Sequence, residues 1–376
     1  MTWATKRLDE VCSIVMGQAP PGEGYNLDGL GWPLVAGPGD FEGDRPVVKK
    51  FTKHAAKLSQ RGQIILGVRA SIGAKVWSDR IYALGRGVAA LTPAQEVESR
   101  YLWHWLTWCA PDLSAKGKGA TFKQVNRQDI GEMEVPVPGL AEQRRIADVL
   151  DRVDALRAKR REAEAAVAGL ARGMFWEWLP LSTPEVALGE HLDFVTSGGR
   201  GWARYYSSAG HRFIRSLDVR MQEIDSGEAA YVDPPDNAEA RRTRTKMGDV
   251  LLTITGSRIG RVAPLPRSLD GSFVSQHVAI LRPSPRLRPE FLSFFLGMED
   301  GGQRQILQAQ YGQTKPGLNF EQIRAFMIPV PSLDVQDDFC NRLNGLRDLK
   351  VVQRRALGEL DALFASLQHR AFRGEL

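Results

Sequence analysis

Cysteine is scarce in this sequence. Three thiols, Cys12, Cys109 and Cys340, are scattered over 376 residues. The number is odd, and no Cys-x-x-Cys or Cys/His ligand spacing accompanies it, so the thiols are expected to be reduced and structural, with no zinc. Six histidines, at 54, 104, 191, 211, 277 and 369, show no metal-binding spacing either. No apolar run approaches the roughly 18 residues that cross a bilayer. The opening "MTWATKRLDE" has no apolar signal core, so the chain is expected in the cytoplasm, away from membranes. A GxxxxGK[ST] loop is missing, which excludes a P-loop ATPase. Carboxylates clustered with lysine, as a nuclease needs, are missing too.

Acidic residues are absent from one long window. Between Arg45 and Ser78 stand Arg45, Lys49, Lys50, Lys53, Lys57, Arg61, Arg69 and Lys75 without a single Asp or Glu. The chain as a whole carries only +6. A local excess of this size repels itself and points to an anionic partner, with nucleic acid favoured over a merely solvated basic face.

What is present is written twice. "EVPVPGLAEQ" from Glu134 matches "MIPVPSLDVQ" from Met327. At the same offset Gly119, Thr121, Asn126 and Ile130 fall on Gly312, Thr314, Asn319 and Ile323. Upstream the offset drifts, as loop insertions would make it: "GQIILGVRASIG" from Gly62 lies over "GDVLLTITGSRIG" from Gly248, and "LDEVCSIV" from Leu8 over "LGEHLDFV" from Leu188. The basic window recurs as Arg241, Arg242, Arg244, Lys246, Arg258, Arg261 and Arg267, interrupted only by Asp249. The chain therefore reads as an internal two-fold repeat, and its length fits two or three domains.

Each copy has two parts. Residues 1–139 and 180–332 are rich in Gly, Pro, Val and Ile. "GQIILGVR", "DVLLTITG" and "FVSQHVAIL" read as strands, and "SRYLWHWLTWCA" and "RPEFLSFFLGM" as buried helices, making mixed α/β domains. Residues 140–179 and 333–376 contain no proline and step their apolar residues by three and four. Each predicts one long helix, roughly 57 Å at 1.5 Å per residue. A stripe that long needs a long partner, and the other copy's helix is the natural one. Ile146, Leu150, Val153 and Leu156 pair by position with Phe339, Leu343, Leu346 and Leu349. Both helices are nearly charge-balanced, so the net positive charge resides in the α/β parts.

"VPVPGLAEQRRIADVLDRVDALRAKR" and "IPVPSLDVQDDF" resemble the junctions of specificity (S) subunits of type I restriction-modification systems. That family carries Pro-Pro-Leu-x-x-Gln before a long helix. Here Gly139 and Ser332 replace one proline, Gln143 and Gln336 are kept, and Val335 replaces the usual Glu. The resemblance spans the whole chain. It implies two target recognition domains that each read half of a split target on double-stranded DNA, and two helices forming an antiparallel coiled coil. It implies two methyltransferase subunits, bearing S-adenosylmethionine, docked on the coiled coil and recognition domains, and a motor-nuclease subunit that joins in some systems. On this reading the chain binds no cofactor and is not catalytic. The helix residues named above, with Gln143 and Gln336, are the expected coiled-coil or partner contacts.

DNA contacts should be loop Arg, Lys, Gln, Ser or aromatic residues. In the first domain these are Arg69, Ser71 and Lys75, then Lys116, Lys118, Lys123 and Gln124 in the acid-free "SAKGKGATFKQ". In the second they are Arg200, Arg204, Tyr205, Tyr206, Arg215, Arg258, Arg261, Gln313 and Lys315. Two other readings compete. A self-contained amino-methyltransferase draws on "YVDPPDN" and the glycine-rich "DFVTSGGRG", but Asp236 stands where an aromatic ring should stack on a flipped base. A coiled-coil adaptor without DNA reading would need only the helices.

Overall fold

The computed structural model describes residues 3–119, 123–225, 227–310 and 316–376. Contacts divide them into two compact units, residues 1–163 with 353–376 and residues 164–352.

In the first unit the short apolar runs build a central sheet. Strands Cys12–Met16, Val88–Pro93, Ile64–Gly67 and Lys75–Trp77 lie side by side in that order, all antiparallel. "IIL" is apolar without alternation because both faces are covered. Ile64, Leu66, Ala89 and Leu91 join the cluster of Tyr101, Leu102 and Trp105 on helix Ser99–Trp108. Ile65, Val88 and Ala90 join Val35, Tyr82 and Leu84. A second sheet, Ala83–Leu84, Trp32–Val35, Lys50–Thr52 and Tyr25–Asn26, supplies that other layer, with its first pair parallel.

The second unit has a central sheet of the same strand order: Leu192–Ser197, Val278–Pro283, Val250–Thr253 and Val262–Pro264. Helix Pro289–Gly297 brings Phe291, Leu292, Phe295 and Leu296 into its core. The second sheet is Tyr206–Ser207, Ala230–Val232, His211–Ile214 and Phe273–Val274, again with one parallel pair. "FVSQHVAIL" is thus not one strand. It is two, in different sheets, broken at Ser275–His277. The three cysteines are free, and burial pushes each thiol up to about 12. Among the described residues no helix is long and apolar enough to cross a membrane.

The long helices span Leu140–Trp178 and Leu333–Phe372. A segment of each belongs to each unit, and within both units the segments meet antiparallel. In the first, Ile146, Leu150 and Val153 share a core with Phe364 and Phe372. Arg157 lies 4.4 Å over the Phe364 ring and bonds Asp361 at 2.6 Å. In the second, Phe175 meets Phe339 edge-on at 5.2 Å, beside Leu343. Leu156 and Leu349 do not join this seam; they are 52% and 42% exposed. The 4-3-4 stepping from Ile146 through Leu150 and Val153 lands on Arg157, one residue beyond Leu156. From Phe339 it lands likewise on Lys350, which lines an apolar groove with Val167 and Ala171.

Gln143 and Gln336, expected on the helix-pairing or partner surface, are put to another use. Both are fully buried. Gln143 Oε1 accepts from Glu98 N at 2.8 Å, and its Nε2 donates to Glu96 O at 2.9 Å and Pro138 O at 2.8 Å. Gln336 repeats the set: Oε1 accepts from Arg288 N at 2.8 Å, and Nε2 donates to Arg286 O at 3.0 Å and Pro331 O at 2.9 Å. Each amide ties the start of a long helix to the loop that begins the sheet-covering helix. The tether predicts that Gln143→Ala, which strands three backbone groups, costs roughly 2–3 kcal/mol. Denaturant unfolding checks this; Gln143→Glu, which buries a charge, should cost more than Gln143→Ala.

Candidate nucleic-acid interface

In the first unit the end of the central sheet beyond its inner strand Ile64–Gly67 collects most of the predicted contacts. Arg69 leaves strand Ile64–Gly67 and forms an isolated antiparallel bridge with Gln124. Gln124 exchanges two backbone hydrogen bonds with Lys118, at 2.9 and 3.0 Å, and Val125 N donates to Val68 O at 3.1 Å. Residues 117–119 and 123–125 are therefore laid on the turn after "IILG". Gly117 sits where a Cβ would come within 2.8 Å of Ile72 Cδ1 and 3.0 Å of Ser114 O, so a side chain there would force Ile72 to shift. Arg69, Lys118, Lys123 and Gln124 are brought together, and Ser71 is exposed on the same turn. Lys118 is 80% exposed and only 3.7 Å from Asp129, a loose pair that leaves its ammonium open to solvent. Lys116 is exposed beside it, 3.5 Å from Asp129 O.

Lys75 lies elsewhere. Its Nζ donates to Thr107 Oγ1 at 2.7 Å and sits 4.5 Å over the Trp103 ring. Burial lowers its ammonium to about 8. It serves as packing between sheet and helix.

The second unit builds the same arrangement. Thr255 bridges Gly317, and Leu318 N donates to Ile254 O at 2.9 Å. Gln313 and Lys315 lie outside the described residues, as do Thr121 and Thr314. Arg200 is exposed and, with Ser197, Gly198, Thr255, Gln276 and His277, lines an open cavity of about 460 Å³. Arg258 donates to Leu217 O at 2.9 Å, and Arg261 is half-buried in the same turn region. Arg204 stacks over Tyr205 at 4.8 Å, and Tyr206 is 49% exposed. Arg215 is occupied: it grips Asp218 at 2.9 and 3.1 Å and Glu228 O at 2.7 Å. It holds a turn together.

The rival motifs resolve into local structure. "YVDPPDN" is the end of strand Ala230–Val232 followed by Asn237, which caps helix Ala238–Thr243 through Ala240 N at 2.8 Å. After Leu192–Ser197, "GGRG" leads into a short turn of 3-10 helix, Trp202–Tyr205, and no cofactor-binding helix follows. Among the described residues no cluster could hold a metal.

Two turns at these strand ends carry polar residues that the sequence did not single out as DNA contacts. Arg86 is exposed in a turn closed by Val88 N donating to Gly85 O at 3.2 Å. Gln276 and His277 occupy the matching turn, closed by Val278 N to Ser275 O at 3.0 Å. "GRG" around Arg86 carried a legible turn signal; "SQH" inside an apolar run carried none.

A family model described as the type I restriction modification DNA specificity domain matches residues 1–165 and 223–350. The chain belongs to this family. It is accordingly a specificity subunit of a type I restriction-modification system, the component that recognises DNA. Over its full length it is 21% identical to the EcoBI type I restriction enzyme specificity subunit of Escherichia coli, covering 86% of that protein. It is 32% identical over 153 residues to a protein of Methanocaldococcus jannaschii named as the MjaX specificity subunit. That stretch is 40% of this chain and 36% of the relative. The fold matches the crystal structure of an S subunit from M. genitalium with TM-score 0.58 at 17% identity, over 99% of this chain and 96% of the other.

The two turns differ in backbone strain. Ala70 adopts φ +58°, whereas Gly256 takes φ +88° at the same place in the second unit. Left-handed backbone costs a non-glycine residue about 1–2 kcal/mol, partly offset by glycine's larger unfolded-state entropy. Ala70→Gly should therefore stabilise the first unit by about 0.5–1 kcal/mol in denaturant unfolding, and Ala70→Val should destabilise it.

Proposed function

We propose that this chain reads a two-part target on double-stranded DNA, one part with each α/β region, and presents it to methyltransferase subunits. The observation that carries the reading is one arrangement at the end of the central sheet, built twice. In each unit the residues just after a buried apolar strand bridge a second segment; exposed Ser71, Lys116, Lys118, Lys123 and Gln124 gather there in the first unit, and exposed Arg200 and Ser257 lie near it in the second. Equal scaffolds with unequal side chains suit two half-sites of different sequence.

The matching strand orders support an internal two-fold repeat, with recognition domains at 1–139 and 180–332 and conserved helices at 140–179 and 333–376. The antiparallel contacts of the helices support an antiparallel coiled coil that fixes the gap between the half-sites. Leu156, Leu170, Leu349 and Leu363, exposed on those helices, suit a protein partner. Two methyltransferase subunits would dock there with S-adenosylmethionine, and a motor-nuclease subunit would join them. The chain itself is non-catalytic and cytoplasmic on this reading. Phosphate contact falls to Arg69, Lys116, Lys118, Lys123, Arg200 and Arg258.

Footprinting of the assembled complex should show two protected patches around an unread gap; one unbroken patch would contradict the reading. Replacing Lys116, Lys118 and Lys123 together by Gln should weaken binding evenly across sequences. It should also make the salt dependence shallower, by about 0.9 in log–log slope for each phosphate that is no longer neutralised. Titration at several salt concentrations reads both effects.

A further inference from the structure

Arg86 and Gln276 stand at the same station of their units. Strand pairing fixes the equivalence: Val88 pairs Gly67 as Val278 pairs Thr253. Val68 N donates to Gly87 O at 2.9 Å, as Ile254 N does to His277 O at 2.9 Å. Gly85 N bonds Val35 O at 2.8 Å, as Ser275 N bonds Ile214 O at 2.9 Å. Each residue is second in a four-residue turn that feeds the buried strand of the central sheet. The turn is pinned by these backbone bonds at the end of the sheet that also carries Arg69 or Thr255.

The second unit holds its side chain with a relay. Gln276 Nε2 donates to His277 Nε2 at 3.2 Å, and His277 Nδ1 bonds Thr255 Oγ1. An imidazole that accepts at Nε2 is protonated at Nδ1, so it donates to the threonine. One amide N–H of Gln276 is thereby used, and the orientation of the amide is set. What remains is one N–H donor beside the Oε1 acceptor. That pair complements adenine in the major groove, which offers the N7 acceptor and the N6 amino donor. Arg86 has donors only, and guanine offers two acceptors, O6 and N7.

We propose that this turn is the base-reading station of each unit: Gln276, positioned by His277 and Thr255, reads an adenine in one half of the target, and Arg86 reads a guanine in the other. The assignment rests on the DNA-facing role of these sheet ends and adds which residue meets which base.

The test is selection of bound sequences from a pool of random duplexes, using the full chain assembled with its methyltransferase subunits. Wild type should select a two-part site with an invariant adenine in one half and an invariant guanine in the other. Gln276→Ala should cut discrimination at that one A·T pair by about ten- to a hundredfold and leave the other half unchanged. Gln276→Glu, of the same shape but accepting only, should shift the preference there to cytosine, whose amino group donates. His277→Ala should weaken discrimination at the same pair. A selected site unchanged in Gln276→Ala and Gln276→Glu, or an even loss over all sequences, overturns the assignment. A wild-type complex that selects no two-part site would instead bring down the proposed function, and this assignment with it.

Discussion

A buried amide with three hydrogen bonds is the constraint on which the rest depends. Gln143 has no exposed surface, and its polar atoms are committed to Glu98, Glu96 and Pro138. Gln336 does the same work with Arg288, Arg286 and Pro331. An unmatched buried amide is expensive, so the chain can enter the long helix only where the loop before the sheet-covering helix offers those backbone partners. The tether therefore fixes the helix start against helix Ser99–Trp108 or Pro289–Gly297. That helix in turn covers the central sheet whose far end carries the polar side chains. The side chains of the proposed interface are thereby tied to the packed core, as discrimination between bases requires.

Charge follows the same division of labour. Cations on the long helices and beside them are largely matched nearby: Arg157 with Asp154 and Asp361, Arg145 with Glu142, Arg288 with Asp337. The exposed pairs among them contribute little to stability. Their effect is to cancel charge along the long helices. At the sheet ends Lys118 keeps most of its surface, and Arg69, Lys123 and Arg200 extend the basic face. The DNA binding proposed there should weaken as salt rises.

Much of this is legible in the sequence, for reasons that differ by element. The long helices show because a proline-free 3.6-residue period over nearly forty positions has no other solution. The repeat shows because structural residues recur: Asn126 and Asn319 align since each caps a short helix, with Asp129 N and Gln322 N as donors at 2.9 and 2.8 Å. The seam is misplaced at Leu156 and Leu349 when hydrophobicity outweighs angle, and the angle favours Arg157, whose stem packs while its head finds Asp361. Gln143 and Gln336 are visible as residues, but their burial depends on tertiary partners some 45–50 positions upstream. At the sheet ends, Arg69, Lys118, Lys123 and Gln124 are legible as an acid-free basic stretch. Lys75 and Arg215 answer the same description, yet Trp103 and Asp218 claim them. Gln276 is hidden because a turn between two sheets looks, in sequence, like the middle of one strand.

The central claim is that each α/β region reads its own part of the target. It is tested most directly by replacing residues 180–332 with the corresponding region of a relative that recognises different DNA, and determining the bound sequence of the assembled complex. A hybrid target is expected: one half as in the original chain, the other taken from the donor. A target changed in both halves, or one uninterrupted sequence, would contradict it.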